Sequence, residues 1–145
     1  MILVIDLEAT CSDDGSMTRE QMEVIELGAV WATPAGVIIN ALQCFVRPVE
    51  RPILKPFCMA LTHIEQAQIE RENAQHGLPD PLAGLPHINL KAAFAKAPGI
   101  KRTGMPTALP IAGIQREGEH HRALSDARNI ARLLPFCRVE STAGD

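Results

Sequence analysis

Residues 2–9 read Ile2-Leu3-Val4-Ile5-Asp6-Leu7-Glu8-Ala9. The first four are apolar and mostly β-branched, the pattern of a strand buried on both faces. Side chains two apart on a strand point the same way, so Asp6 and Glu8 share a face that begins with Ile2 and Val4. That face turns acidic at the strand's C-terminal end. Two adjacent carboxylates on an otherwise buried strand repel each other and resist desolvation unless something compensates. A hard divalent cation such as Mg²⁺ supplies that compensation, because it takes oxygen ligands and keeps positions open for water and phosphate. The competing reading is a strand that ends here with its acids in solvent, and the strand pattern alone leaves both open.

Beyond the polar residues 12–21, the segments from Val24 to Trp31 and from Val37 to Val46 are two further strands. Thr33-Pro34-Ala35-Gly36 between them places Pro and Gly where a tight turn needs them, which predicts an antiparallel three-strand meander. Pro48, Pro52 and Pro56 exclude regular structure up to Phe57. Thr62 followed by Glu65 has capping-box spacing and predicts a helix start. Asn89 predicts another, with Leu90, Ala93 and Phe94 as its buried stripe and Pro98-Gly99 as its stop. A last helix is predicted from Ala123 to Leu134, where Ala123, Ala127, Ile130, Ala131 and Leu134 recur at helical spacing before Pro135. Strands first and helices later indicate a mixed α/β or α+β domain.

The last helix opens on a second polar cluster, His120-His121-Arg122-Ala123-Leu124-Ser125-Asp126. Five residues separate His121 from Asp126, so the two converge only if His121 lies in the loop ahead of the helix. A neutral histidine beside a metal can take a proton from an attacking water. Taken alone, His121 reads equally as a capping or surface histidine, and Asp126 as a first-turn acid favoured by the helix dipole. Arg122, Arg128 and Arg132 read as a solvated face.

The chain has 145 residues, 46% hydrophobic and 21% charged, which suits one packed domain and excludes a disordered chain. Its net charge of −3 carries no basic nucleic-acid footprint in the totals and excludes none locally. The four cysteines, Cys11, Cys44, Cys58 and Cys137, form no CxxC pair and read as reduced thiols of a cytoplasmic protein. The apolar run at residues 2–5 is too short for a signal core or a membrane span.

The strings DLEATC at 6–11, FCMALTHI at 57–64 and HRALSDARNIARLL at 121–134 together resemble the DEDDh branch of the DnaQ-like 3′-to-5′ exonucleases, and within it the histone-mRNA-type 3′ exonucleases and their bacterial relatives. The likeness extends to EVIELGAV and NLKAAFA and covers most of residues 1–134. It implies a ribonuclease-H-like α/β fold, with the antiparallel three-strand meander plus parallel strands in one mixed sheet flanked by helices. The exonuclease domain would span 1–136, with 137–145 a frayed tail. In that family, acids of three motifs hold two metal ions and a histidine activates water. By this resemblance Asp6, Glu8 and Asp126 are metal ligands for two Mg²⁺ or Mn²⁺ ions, and His121 is the general base. Leu7 and Ala9 would pack or hydrogen-bond around the terminal nucleotide, with Leu61 and Thr62 lining the opposite wall; plain core packing is the alternative for each. His63 stands where the family commonly has glycine. The implied substrate is the 3′ end of single-stranded RNA or DNA, with RNA favoured, cut to nucleoside 5′-monophosphates. With four Phe, one Trp and no Tyr, the chain offers few platforms for base stacking.

The family's second motif, which carries its fourth acid, is missing. Residues 66–70 run almost directly into 71–78, so a few tens of residues are absent between about 66 and 72. Asp80 falls after the gap in motif order and is no replacement, and Glu70 and Glu72 read as helix-surface residues. Either the chain lacks this segment or the sequence joins residues across it; loss of an interior strand would open a buried sheet, which favours the second. The gap also supports a rival reading, a catalytically impaired nucleic-acid-binding or protein-binding module that keeps the fold. A phosphodiesterase acting on dinucleotides is a third.

Overall fold

The computed structural model describes residues 1–70, 88–95 and 100–137. Strands β1 (Ile2–Ala9), β2 (Val24–Ala32) and β3 (Ile38–Phe45) form one antiparallel sheet in the order β1-β2-β3. The predicted meander is present, and its turn closes through the Gly36 N–H to the Thr33 carbonyl at 2.9 Å, with Gly36 at φ +79°. The wider expectation of parallel strands beside it has no counterpart among the described residues. One correction follows for β1: only Val4 of the run 2–5 is buried, whereas Ile2, Leu3 and Ile5 are half-buried. The reason is position, since β1 is an edge strand among the described residues and has a neighbour on one side only.

Five helices follow: α1 (Pro56–Thr62), α2 (Gln66–Glu70), α3 (Leu90–Ala95), α4 (Met105–Ile111) and α5 (Ala123–Arg132). Helix α1 corrects the capping-box expectation, because Thr62 ends a helix and starts none. Pro56 opens α1 at a position where its fixed φ suits helix entry and its missing N–H costs nothing. The Thr62 hydroxyl donates back to the Cys58 carbonyl at 2.8 Å. Helix α2 starts four residues later, at Gln66. Asn89 does begin α3, its carbonyl accepting the Ala92 and Ala93 N–H groups, and Ala93 and Phe94 are buried as expected. Helix α4, Met105-Pro106-Thr107-Ala108-Leu109-Pro110-Ile111, escaped the sequence reading because two prolines argue against a helix. Helix α5 ends at Arg132, two residues short of the predicted Leu134, and a single 3₁₀ turn carries the chain from Leu134 to Phe136. The readings of Glu72, Asp80, Pro98-Gly99 and the tail beyond 137, and the side chain of Glu70, lie outside the described residues.

The core has a sheet-and-helix logic. Val4, Val30 and Ala32 on one sheet face pack against Ala127, Ala131 and Leu134. Alanines at the contact let α5 lie close to the sheet, where larger side chains would hold it off. Ile25 points to the other face and packs with Leu54, Cys58, Ile64 and Ile69, which ties α1 and α2 to β2. Phe94, Met105, Ala108, Leu109 and Leu133 form a third cluster that joins α3 and α4 to the end of α5. Among the described residues, no helix is long and apolar enough to cross a membrane.

Candidate active site

Strand alternation carries Asp6 and Glu8 to the same face as Val4, under α5. In the β1–β2 ladder Asp6 lies opposite Gly28 and Glu8 opposite Glu26. A Cβ added at Gly28 would fall 2.1 Å from the Leu124 nitrogen and 2.2 Å from the Ala123 carbonyl carbon, so the start of α5 occupies the space a side chain would fill. This close approach brings Asp126, in the first turn of α5, over the acidic end of β1. Asp6, Glu8 and Asp126 each offer one oxygen, and these oxygens lie within 4.8 Å of one another.

The three carboxylates are poorly compensated by protein. Asp126 is 5% exposed; its Oδ2 accepts the His121 backbone N–H at 3.1 Å and faces His120 Nδ1 at 2.8 Å, while its Oδ1 is buried with no hydrogen-bond partner. Burial, then the charge of Asp126, pushes Asp6 up to about 6. Burial, then the charges of Asp6 and Asp126, pushes Glu8 up to about 7. Hard oxygen donors, mutual repulsion and an orphaned buried oxygen fit a hard divalent cation, whose charge would relieve all three.

His121 sits in the loop before α5, as convergence with Asp126 required, and it adopts a left-handed backbone at φ +62°. A non-glycine residue there carries strain of roughly 1–2 kcal/mol. The turn allows the His121 N–H to reach back to Asp126. Its ring stacks on that of His120, with centroids 3.9 Å apart and planes at 20°. Burial, then the neighbouring His120, lowers the His121 pKa and favours the neutral imidazole.

The expected nucleotide wall is placed less uniformly. Leu7 is 50% exposed and points away from the carboxylates by strand alternation. Ala9 is half-buried, and its carbonyl receives a long contact from Cys58 Sγ at 3.7 Å. Leu61 is half-buried at the end of α1; Thr62 is buried with its hydroxyl engaged inside that helix. His63 caps α1 in a left-handed conformation at φ +56°, the geometry glycine adopts most readily. A cavity of about 310 Å³ elsewhere on β1, bounded by Leu3, Ile5, Lys91, Phe94 and Arg102 among others, contains none of the three carboxylates.

The sequence reading gave no role in this site to Glu26, Gly28 or His120. Glu26 left a signal, because alternation puts its charge on the same buried face as Gly28 and Val30. Arg122, read as solvated, instead reaches Glu26 through Nε at 3.3 Å and lies over the Phe45 ring at 5.6 Å.

Residues 3–78 match the family model RNase_T, described as an exonuclease. The chain belongs to the RNase_T exonuclease family. It is 47% identical over 70 residues to human ERI1 exoribonuclease 2, covering 48% of this chain and 10% of that protein. It is 38% identical over 177 aligned positions to mouse 3'-5' exoribonuclease 1, covering 91% of this chain and 51% of that protein. That alignment is longer than the 145 residues of this chain, so the mouse protein carries residues with no counterpart here. The fold matches the nuclease domain of 3'hExo, a DEDDh family member solved with rAMP, at a TM-score of 0.77 and 24% identity over 90% of this chain and 88% of that one. A structure described as 3'-end specific recognition of histone mRNA stem-loop by 3'-exonuclease matches at 0.75 and 23% identity over 90% of this chain and 78% of that one. The expected α/β fold and the resemblance to exonucleases stand. The chain spans at most about half the length of the human and mouse relatives named here.

Proposed function

We propose that this chain is a divalent-metal-dependent 3′-to-5′ exonuclease that hydrolyses the terminal phosphodiester of single-stranded RNA or DNA and releases nucleoside 5′-monophosphates. One observation carries the reading: Asp6, Glu8 and Asp126 arrive from a strand and a helix far apart in sequence, with their oxygens within 4.8 Å of one another. Mg²⁺ or Mn²⁺, two ions as in the family, would supply Lewis-acid stabilisation of the attacking and leaving oxygens. Asp6, Glu8 and Asp126 are the residues that would hold them.

The remaining work falls to the chain's own groups. His121, its pKa lowered by burial and its ring stacked on His120, takes the proton of the attacking water as general base. The Asp126 carboxylate accepts the His121 backbone N–H at 3.1 Å, which ties this loop residue to the first turn of α5. Of the four residues expected to bound the terminal nucleotide, half-buried Ala9 and Leu61 are available for apolar contact, whereas Leu7 faces away from the carboxylates and Thr62 is buried with its hydroxyl engaged in α1. RNA is the preferred substrate, in line with the exoribonuclease relatives. Four cysteines without a CxxC pair suit a reducing, cytoplasmic setting.

Incubation of the chain with 5′-labelled single-stranded RNA and DNA, in Mg²⁺, Mn²⁺ or EDTA, tests this. The expected result is a metal-dependent ladder shortening from the 3′ end, absent in His121→Asn. Binding without shortening in either metal would leave an impaired binding module, and shortening confined to dinucleotides would leave a phosphodiesterase; both outcomes reject the proposal.

A further inference from the structure

Glu26 is a carboxylate with no solvent exposure, yet it is neither wasted nor part of the metal-ligand trio. Its Oε2 accepts the Ala123 N–H at 3.1 Å and the Arg122 Nε at 3.3 Å; its Oε1 accepts Gln43 Nε2 and lies 3.5 Å from Arg122 Nη2. Helix α5 has no capping side chain of its own, because Arg122 occupies the cap position. Glu26 supplies the cap from β2, ninety-six residues away from Arg122 in sequence. Arg122 in turn reaches the His63 carbonyl at 3.5 Å, at the end of α1. One buried ion pair therefore joins the strand beside Glu8, the helix that carries Asp126 and the helix end that carries Leu61 and Thr62.

We infer that Glu26 is a positioning residue: through Arg122 and the Ala123 N–H it sets the placement of Asp126 and His121 against Asp6 and Glu8. The alternative is a buried ion pair that only stabilises the fold. Energetics alone do not separate the two, since breaking any buried pair is strongly destabilising. Geometry does, because the groups held by Glu26 are the cap and first residue of the helix whose first turn carries Asp126, and the Gly28 contact leaves that turn no slack.

The inference rests on the reading of Asp6, Glu8 and Asp126 as a cation site, and calorimetric titration of the intact chain with Mn²⁺ alone tests both. Glu26→Gln keeps the shape and an acceptor for Ala123 but removes the charge that holds Arg122; Glu26→Asp keeps the charge but shortens the reach, and it serves if the first variant does not fold. Either is expected to weaken Mn²⁺ binding by about tenfold or more, the usual scale for residues that orient ligands. Oligonucleotide kcat should fall with it while KM moves little. Leu109→Ala, which loosens the buried α3–α4 cluster remote from the carboxylates, controls for general destabilisation and should leave Mn²⁺ affinity as in the parent. Mn²⁺ affinity unchanged in the folded Glu26 variants, or lowered equally in Leu109→Ala, overturns the positioning role. Asp126→Asn separates the premise: if the parent binds no Mn²⁺, or Asp126→Asn binds it as well as the parent, the cation site itself is wrong and the inference falls with it.

Discussion

Asp6 and Gly28 face each other across the β1–β2 ladder, and the missing side chain of the second is what exposes the first to α5. The space beside Gly28 is filled by backbone of Ala123 and Leu124, which cannot swing aside as a flexible side chain would. Asp126 therefore reaches the acidic end of β1 only while position 28 has no Cβ.

Gly28→Ala should consequently destabilise the chain by about 3 kcal/mol, at the upper end for overpacking, and should weaken Mn²⁺ binding as α5 is pushed away. Thermal unfolding and Mn²⁺ titration of the variant check both effects. A normal melting temperature with normal affinity would show that α5 has more freedom than the contact implies.

Asp126→Asn neutralises the one buried member of three mutually repelling carboxylates. The metal-free variant should melt at or above the parent temperature, even though it is inactive. A cation present at a hundredfold excess over its Kd stabilises the state that binds it by about 2.7 kcal/mol. Differential scanning fluorimetry should show a Mg²⁺- or Mn²⁺-dependent rise for the parent and none for the variant.

Proton linkage gives a sign for the metal-free chain. Folding raises Asp6 to about 6 and Glu8 to about 7, both above ordinary carboxylate values, so between roughly pH 4 and 7 the folded state binds more protons than the unfolded one. Stability from these two groups is fully present below the unfolded values and is lost as pH rises through the folded ones. In EDTA the melting temperature should therefore fall from pH 5 to pH 8 relative to Asp6→Asn/Glu8→Gln, by on the order of 5 °C. Saturating Mg²⁺ should remove most of that slope, and an identical slope in the double variant would refute this account.

His121→Asn isolates the proposed base, because asparagine tolerates the left-handed backbone that His121 adopts. The turnover number should drop by about 10²–10⁴-fold, while calorimetry should give the parent's Mn²⁺ affinity. If affinity falls as far as turnover, the residue supports the metal site and is not the base.

His63 holds a left-handed cap on α1 with an exposed side chain. His63→Gly should stabilise the chain by about 1 kcal/mol, measured by urea unfolding, because glycine has no Cβ to strain. Arg122 contacts only the backbone carbonyl of this residue, and that contact survives the substitution.

Local pattern decided a good deal. The alternation in residues 2–9 put Asp6 and Glu8 on one face, and the turn at 33–36 dictated the meander. The five-residue step from His121 to Asp126 required a loop before the last helix, and φ +62° at His121 is how the chain provides it. Local pattern also misled where two residues stood in for a whole element. Thr62 and Glu65 have capping-box spacing, yet Pro56 had already started the helix that Thr62 ends, and the prolines of α4 hid a helix that buries Met105, Ala108 and Leu109.

By itself, then, the sequence determined the strand and helix faces and the chemistry of four candidate side chains, because periodicity and residue type are local properties. The family resemblance named Asp6, Glu8 and Asp126 together, but only tertiary structure decided which neighbouring acid stays out of that trio. Glu8 and Glu26 are neighbours across one ladder, yet the first joins the metal-ligand trio and the second is tied up by Arg122 and the Ala123 N–H. That division depends on where α5 lands over Gly28, a contact between segments about a hundred residues apart that no short-range pattern encodes.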